Sequence, residues 1–197
     1  MTMQAFLLDA SSPCQIGERE ICRLKQLSIV KVFRMYNEEV DGNRRQFIFS
    51  VSEREITNKE IIDTLSINGK AIEGKLVYQF KLHKGDDYSH LESKGMIIGV
   101  VPDKLDRYID LHDNQPQIIH DLCYQDGLRK SYIFVMTFPD GKQYLLQFVE
   151  SKEVEHSALY EDKTYQEWLR ITGECQQPLP GETFWKDMDT EFSYCSS

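Results

Sequence analysis

Two stretches of alternating apolar residues, Ser131 to Phe138 and Gln143 to Val149, are joined through Pro139-Asp140-Gly141. Proline presets φ at the first turn position and glycine accepts the positive φ that closes the loop, so the segment reads as a β-hairpin. Tyr132, Phe134, Met136 and Phe138 fall on one face, and Ile133 and Val135 make the other face apolar as well. A strand apolar on both faces belongs in the interior of a sheet.

A second hairpin joins Ser28–Tyr36 to Arg45–Val51 through Asn37 to Asn43, where Asp41-Gly42 tolerates a tight or left-handed turn. Its return strand places Phe47, Phe49 and Val51 on one face. Between the hairpins, Leu76, Tyr78, Phe80 and Leu82 alternate with Lys75, Gln79 and Lys81, the period of a strand with one wet face. Gly95 to Val101 is a short apolar run ended by Pro102 and reads as a buried strand. Antiparallel pairing follows from the hairpins.

Helices are signalled by their starts. Thr57-Asn-Lys-Glu60 is a capping box, with Ile56 and Ile61 at the hydrophobic-staple positions, and the helix should run to about Leu65. Pro116 in a first turn, followed by Ile118, Ile119, Leu122 and Cys123, marks a helix stopped near Gly127. Asp103 to Leu111 forms a preceding helical turn or two. Near the C-terminus Thr164-x-x-Glu167 is a second capping box for which Asp162 competes as the cap; Tyr165, Trp168, Leu169 and Thr172 then repeat at helical spacing before Gly173. Residues 11–27 carry Ile21, Leu24 and Leu27 as a ragged helical stripe. No internal repeat of solenoid length is visible. The expected fold is α+β: a mainly antiparallel sheet of about six or seven strands with three to five short helices packed on it. One domain is expected over residues 1–175. Residues 176–197 form a C-terminal tail in which Phe184, Trp185 and Phe192 anchor across the domain.

The 197 residues carry 23 Lys+Arg against 32 Asp+Glu, a formal charge of −9. This opposes the phosphate backbone whose neutralisation supplies most nucleic-acid affinity, and it favours a basic protein partner. The cationic residues Arg44, Arg45, Lys70, Lys75, Lys81 and Lys84 read as guards of a strand edge rather than as a nucleic-acid patch. Cys14, Cys22, Cys123, Cys175 and Cys195 are scattered, lack a C-x-x-C pair and read as free thiols. The N-terminal apolar run stops at Asp9, short of a signal peptide, and no segment reaches membrane length. These features lead to an expectation of a cytoplasmic protein without membrane association, in a bacterial or a host cell.

No phosphate-binding loop, dinucleotide-binding glycine pattern, nucleophile elbow, H-E-x-x-H or EF-hand loop is present in the sequence. His83-Lys-Gly-Asp-Asp-Tyr-Ser-His90 sets two carboxylates between two imidazoles, ligand types for a metal, but at a spacing that matches no ligand pattern. The dipeptides His112-Asp113 and His120-Asp121 resemble the metal-binding pair of the HD phosphohydrolases; that family is a helical bundle, and the strand-rich surroundings here do not fit it. Cys123 follows His120 by three residues, the spacing of neighbours on a helix, yet it continues the apolar stripe of Ile119 and Leu122.

Asp103, Asp106, Asp110 and Asp113 recur at three- or four-residue spacing and form a candidate acidic binding surface. With no catalytic set, no metal site and no cofactor motif, the sequence points to a non-enzymatic protein-interaction factor (an inhibitor, immunity-type protein, adaptor or virus-like accessory protein) that engages a partner through this surface. A small-ligand-binding protein or hydrolase with a pocket on the sheet is the alternative, lined by aromatics such as Tyr78, Tyr132 and Tyr144 and aided by His83, His90 or His120. A self-assembling structural protein is the second alternative.

Overall fold

Hairpin pairing organises the backbone of this computed structural model, which describes residues 2–10, 18–26, 29–37, 45–80, 83–154 and 157–195. The elements in chain order are β1 (Thr2–Ala10), α1 (Glu18–Gln26), β2 (Ile29–Asn37), β3 (Arg45–Ser52), α2 (Asn58–Leu65), β4 (Gly69–Glu73), β5 (Lys75–Gln79) and β6 (Glu92–Val100). They continue with α3 (Leu105–Asp113), α4 (Gln117–Gln125), β7 (Leu128–Thr137), β8 (Gln143–Ser151), a 3-10 turn (Leu159–Glu161), α5 (Lys163–Gly173), β9 (Gln176–Gln177) and β10 (Lys186–Cys195). The α+β class with antiparallel strands and five helices is the one expected from the sequence. No described helix is long and apolar enough to cross a membrane.

The backbone divides into two units, residues 1–75 with 188–197, and residues 76–187. In the first, β1-α1-β2-β3-α2-β4 gives the strand order β4-β1-β3-β2, with β10 beside β2. In the second, β6-(α3, α4)-β7-β8-α5-β9 gives β9-β6-β8-β7, with β5 beside β7. Both are the split βαβ arrangement, βαββαβ, known as ferredoxin-like. The repeat lies in topology rather than in residues, and for that reason the sequence shows no trace of it.

In the first unit α1 and α2 cover one face of the sheet. Phe6, Leu8 and Ile48 meet Leu24, Ile61 and Leu65 there in a buried apolar layer. Gln4 is buried with them but fully engaged: its amide exchanges hydrogen bonds with the Ile56 backbone (3.0 and 2.8 Å) and donates to Glu73 (2.6 Å). The capping box at α2 forms as read, with the Glu60 amide donating to the Thr57 hydroxyl (3.2 Å) and the Thr57 amide to the Glu60 carboxylate (2.9 Å). Ile56 and Ile61, the staple pair, are buried.

The second unit contains the hairpin that most constrained the sequence. Thr137 pairs with Gln143, and Gly141 takes φ +82 in the turn between them. Gly127 ends the segment after α4 at φ +90, where a Cβ would lie 2.6 Å from the Lys152 carbonyl oxygen, so only glycine fits. Ile98, Val100, Ile133, Val135 and Leu145 face the helices with Tyr108. The terminal segment, expected as a tail, contains the strand β10; its alternation of Met188, Thr190 and Phe192 with Asp187, Asp189 and Glu191 is obscured by polar residues. The turn at Asp41-Gly42, Leu27, Cys14 and Leu82 lie outside the described residues, as does the Phe192 side chain.

At α5 the competition between caps is decided. The Asp162 carboxylate accepts from the Thr164 and Tyr165 amides (2.8 and 3.0 Å), while Glu167 turns to Arg170 (2.8 Å). Asp162→Ala is therefore expected to lower the unfolding free energy by about 1 kcal/mol. Thr164→Ala should stay within about 0.5 kcal/mol of the parent. Urea denaturation of the two variants tests the assignment.

Candidate functional site

The helix-facing side of the second unit's sheet is hollow. A cavity of about 280 Å³ lies there, just under the range of roughly 300–1,000 Å³ usual for pockets that enclose drug-sized molecules. Strand register builds its floor: Met96, Gln147 and Ile133 stand in one row across β6, β8 and β7, and Lys94 sits beside Val149 in the next row. Residues two apart on a strand share a face, so these rows look toward the helices together.

The walls come from the helices and connections. Tyr108 and His112 are four residues apart on α3 and therefore share one helix face. Cys123 enters from α4 and Asp126 from its C-terminal end, while α5 contributes Tyr165 and Trp168. Tyr160 on the 3-10 turn, with Phe184 and Trp185 ahead of β10, completes the lining. Trp168 and Trp185 are the two tryptophans of the chain, and both line this cavity.

His112 is the most constrained polar group in the wall. Its Nδ1 lies 3.0 Å from the Tyr108 carbonyl oxygen, so Nδ1 carries the proton and donates it there, leaving Nε2 as an acceptor. The ring is fixed by Tyr108 (centroids 4.2 Å apart), by the edge of Tyr78 (5.0 Å) and by Trp168 (5.3 Å). Burial drives its pKa down to about 4, only partly opposed by the Tyr108 carbonyl and the charge of Asp113. The imidazole is thus neutral at pH 7, and Nε2 has no hydrogen-bond partner among the described residues. Gln147 is similar: its Nε2 donates to the Ser131 hydroxyl (2.9 Å), and its Oε1 is left without a partner. Burial pushes the Cys123 thiol up to about 12, which keeps it protonated and unreactive as a nucleophile.

The residues singled out in the sequence lie elsewhere for the most part. Asp106, Asp110 and Asp113 are exposed on the side of α3 away from its buried pair, and Asp103 occupies a turn before it at φ 63. None of the four lines the cavity. Asp110 accepts a local bond from the Asn114 amide (2.9 Å). Phe184 and Trp185, read as tail anchors, do line the cavity.

In the His83–His90 loop, Asp86 pairs with Arg129 (2.8 Å), Asp87 accepts from Ser89 (2.9 Å), and His83 stacks on Tyr124 (3.9 Å). Among the described residues no three His, Cys, Asp or Glu side chains are grouped to hold a metal ion. His120 stacks on Phe80 (4.1 Å) and does not reach the cavity. Sequence reasoning missed His112 as a ligand-facing group; its one signal was the Tyr108/His112 spacing, which the His112-Asp113 dipeptide drew attention away from.

No protein-family model matches the chain, and no curated protein matches its sequence. Among solved structures, a provisionally named monooxygenase of Fusobacterium nucleatum subsp. nucleatum superposes with a TM-score of 0.53 at 12% identity, over 98% of this chain and 93% of its own. An anthrone oxidase-like protein superposes with a TM-score of 0.48 at 8% identity, over 98% and 92%. At such identities the first likeness is one of fold.

These observations correct the reading of the chain as a non-enzymatic interaction factor acting through an acidic surface. The fold is shared along nearly its whole length with a protein named for enzyme chemistry. The four aspartates stand apart from the hollow that could hold a ligand. The alternative of a small-ligand pocket on the sheet fits better, with different residues from those expected: Tyr132, Tyr144, His83, His90 and His120 are not in the lining, and Tyr78 packs behind His112.

The depressed pKa of His112 makes stability pH-dependent. Unfolding releases the ring to a value near 6.5, so the unfolded chain binds more protons between about pH 4 and 6.5. The contribution is fully present above about 6.5 and is lost as pH falls toward 4, to the extent of about 3 kcal/mol. Denaturant unfolding at pH 7 and at pH 4.5 is expected to show a smaller acid loss in His112→Gln than in the parent.

Proposed function

We propose that the chain binds a compact small molecule in the cavity of its second unit and that His112 is the group that orients it. The carrying observation is a neutral, tautomer-fixed imidazole that presents an unpartnered Nε2 to an aromatic-walled hollow. Such a wall favours a ligand with a flat apolar body, and an acceptor at its end favours an N–H or O–H on that body. A ligand lacking such a donor would leave two acceptors of the wall, His112 Nε2 and Gln147 Oε1, without a hydrogen bond from it.

The name of the Fusobacterium nucleatum structure lends support to an enzyme of the oxygenase kind as the class to test. In this chain His112 Nε2 is placed to take a proton from a bound donor, the first step in activating an acidic C–H, N–H or O–H. At a pKa of about 4 it is a weak base, suited to accepting a hydrogen bond from the ligand. A reducing, cytoplasmic setting suits a wall that carries the free thiol of Cys123.

Because both tryptophans line the cavity, their fluorescence reports occupancy directly. Titration with aromatic fragments of about a dozen heavy atoms or fewer, confirmed by saturation-transfer NMR, is expected to give saturable binding. Cys123→Phe, which fills the hollow, should abolish it while leaving the circular-dichroism spectrum unchanged. Binding that survives this variant would move the site elsewhere.

A further inference from the structure

The balance of charge in the cavity wall is uneven. Its lining contains two ionised side chains of opposite sign, Lys94 and Asp126, but they are not equivalent. The Lys94 ammonium is already engaged, 2.8 Å from Asp187. Asp126 has no ion-pair partner among the described residues. The two uncharged polar atoms left open, His112 Nε2 and Gln147 Oε1, are both acceptors. Around them stand six aromatic rings: Tyr108, Tyr160, Tyr165, Trp168, Phe184 and Trp185.

A carboxylate with no counter-ion, beside unpartnered acceptors and ring faces, attracts positive charge by three routes: Coulomb attraction, N–H donation and the quadrupoles of the rings. An anionic ligand would meet the reverse in each case. The field of Asp126 reaches the cavity wall, since it adds to the effect of burial in raising the thiol of Cys123 and, among lesser causes, the phenol of Tyr165.

We propose that the ligand of this cavity is an organic ammonium ion, an amine on a compact apolar or aromatic body, held between Asp126 and the open acceptors of His112 and Gln147. This deepens the cavity-binding reading and rests on it. The rings of Trp168 and Trp185 cover the apolar body while the N–H groups satisfy the acceptors, and the protein's formal charge of −9 favours the approach of a cation.

Three probes with the same ring separate charge from shape: 2-phenylethylamine, 2-phenylethanol and phenylacetate, titrated at neutral pH with tryptophan fluorescence and calorimetry as readouts. The amine is expected to bind about tenfold or more tighter than the alcohol, with the carboxylate weakest. Asp126→Asn should bring the amine down to the level of the alcohol and leave the alcohol unchanged. In the unaltered protein, added salt should weaken the amine alone, which tests the same point without a substitution. An alcohol that binds as tightly as the amine, a preferred carboxylate, or an amine preference that persists in Asp126→Asn and in high salt overturns the ammonium assignment while the cavity reading stands. If none of the three binds, and no aromatic fragment does, the cavity reading falls with it.

Discussion

The pairing of β8 with β6 on one side and β7 on the other is the constraint from which the rest of the second unit follows. It sets Gln147 between Met96 and Ile133, and Leu145 between Ile98 and Val135. One face of three strands is thereby committed to whatever the helices bring against it. Toward the β9 end Tyr108 of α3 and Cys175, just before β9, pack with Ile98 and Leu145 in a buried cluster. In the rows of Gln147 and Val149 they bring the edges of His112, Tyr165 and Trp168 and the short side chain of Cys123, which leave space. Rings held edge-on by one another cannot collapse into a gap as an aliphatic chain can, so the hollow is a consequence of side-chain shape imposed on a fixed register.

In the first unit, with the same topology, Leu24, Ile61 and Leu65 pack with Phe6, Leu8 and Ile48 in one buried apolar cluster. The two units also hold a glutamine amide differently. Gln4 has both ends of its side chain bonded, to Ile56 and Glu73, and so locks the strand to the segment entering α2. Gln147 has one end bonded, to Ser131, and the other open. The His112 tautomer is likewise fixed by one bond, so that its second nitrogen is a defined acceptor rather than an averaged one.

What could be read in the sequence was local. The 131–149 hairpin, the Thr57/Glu60 box with its Ile56/Ile61 staple, and the stop at Gly127 each depend on residues within a few positions of one another, and each stands in the structure as read. The doubled βαββαβ topology depends on pairings such as Leu7 with Phe47 and Val100 with Gln176, which no local pattern announces. The two-residue strand β9 is too short to carry a period at all. The cavity was less legible still, because it consists of missing volume. Tyr165, Trp168 and Leu169 were visible as a helical stripe, and a stripe that packs and a stripe that lines a hollow have the same spacing. The aspartates on α3 were correctly placed on a wet face, but exposure and sign describe a surface without assigning it a partner.

The geometry of α3 ties these points together. A helix has two faces, and the sequence drew attention to the one bearing Asp106, Asp110 and Asp113, whereas the cavity lies on the face bearing Tyr108 and His112. The acidic face is exposed, and Asp110 on it accepts a local bond from Asn114. The buried face has to satisfy four conditions together: Tyr108 must be fully enclosed, its carbonyl must reach Nδ1, the imidazole must lie against Trp168, and Nε2 must remain open. Tyr108 and Trp168 both pack against the His112 ring, so a change at either removes a contact that orients it. The residues that define the site are for this reason mostly ones that look, in sequence, like ordinary core.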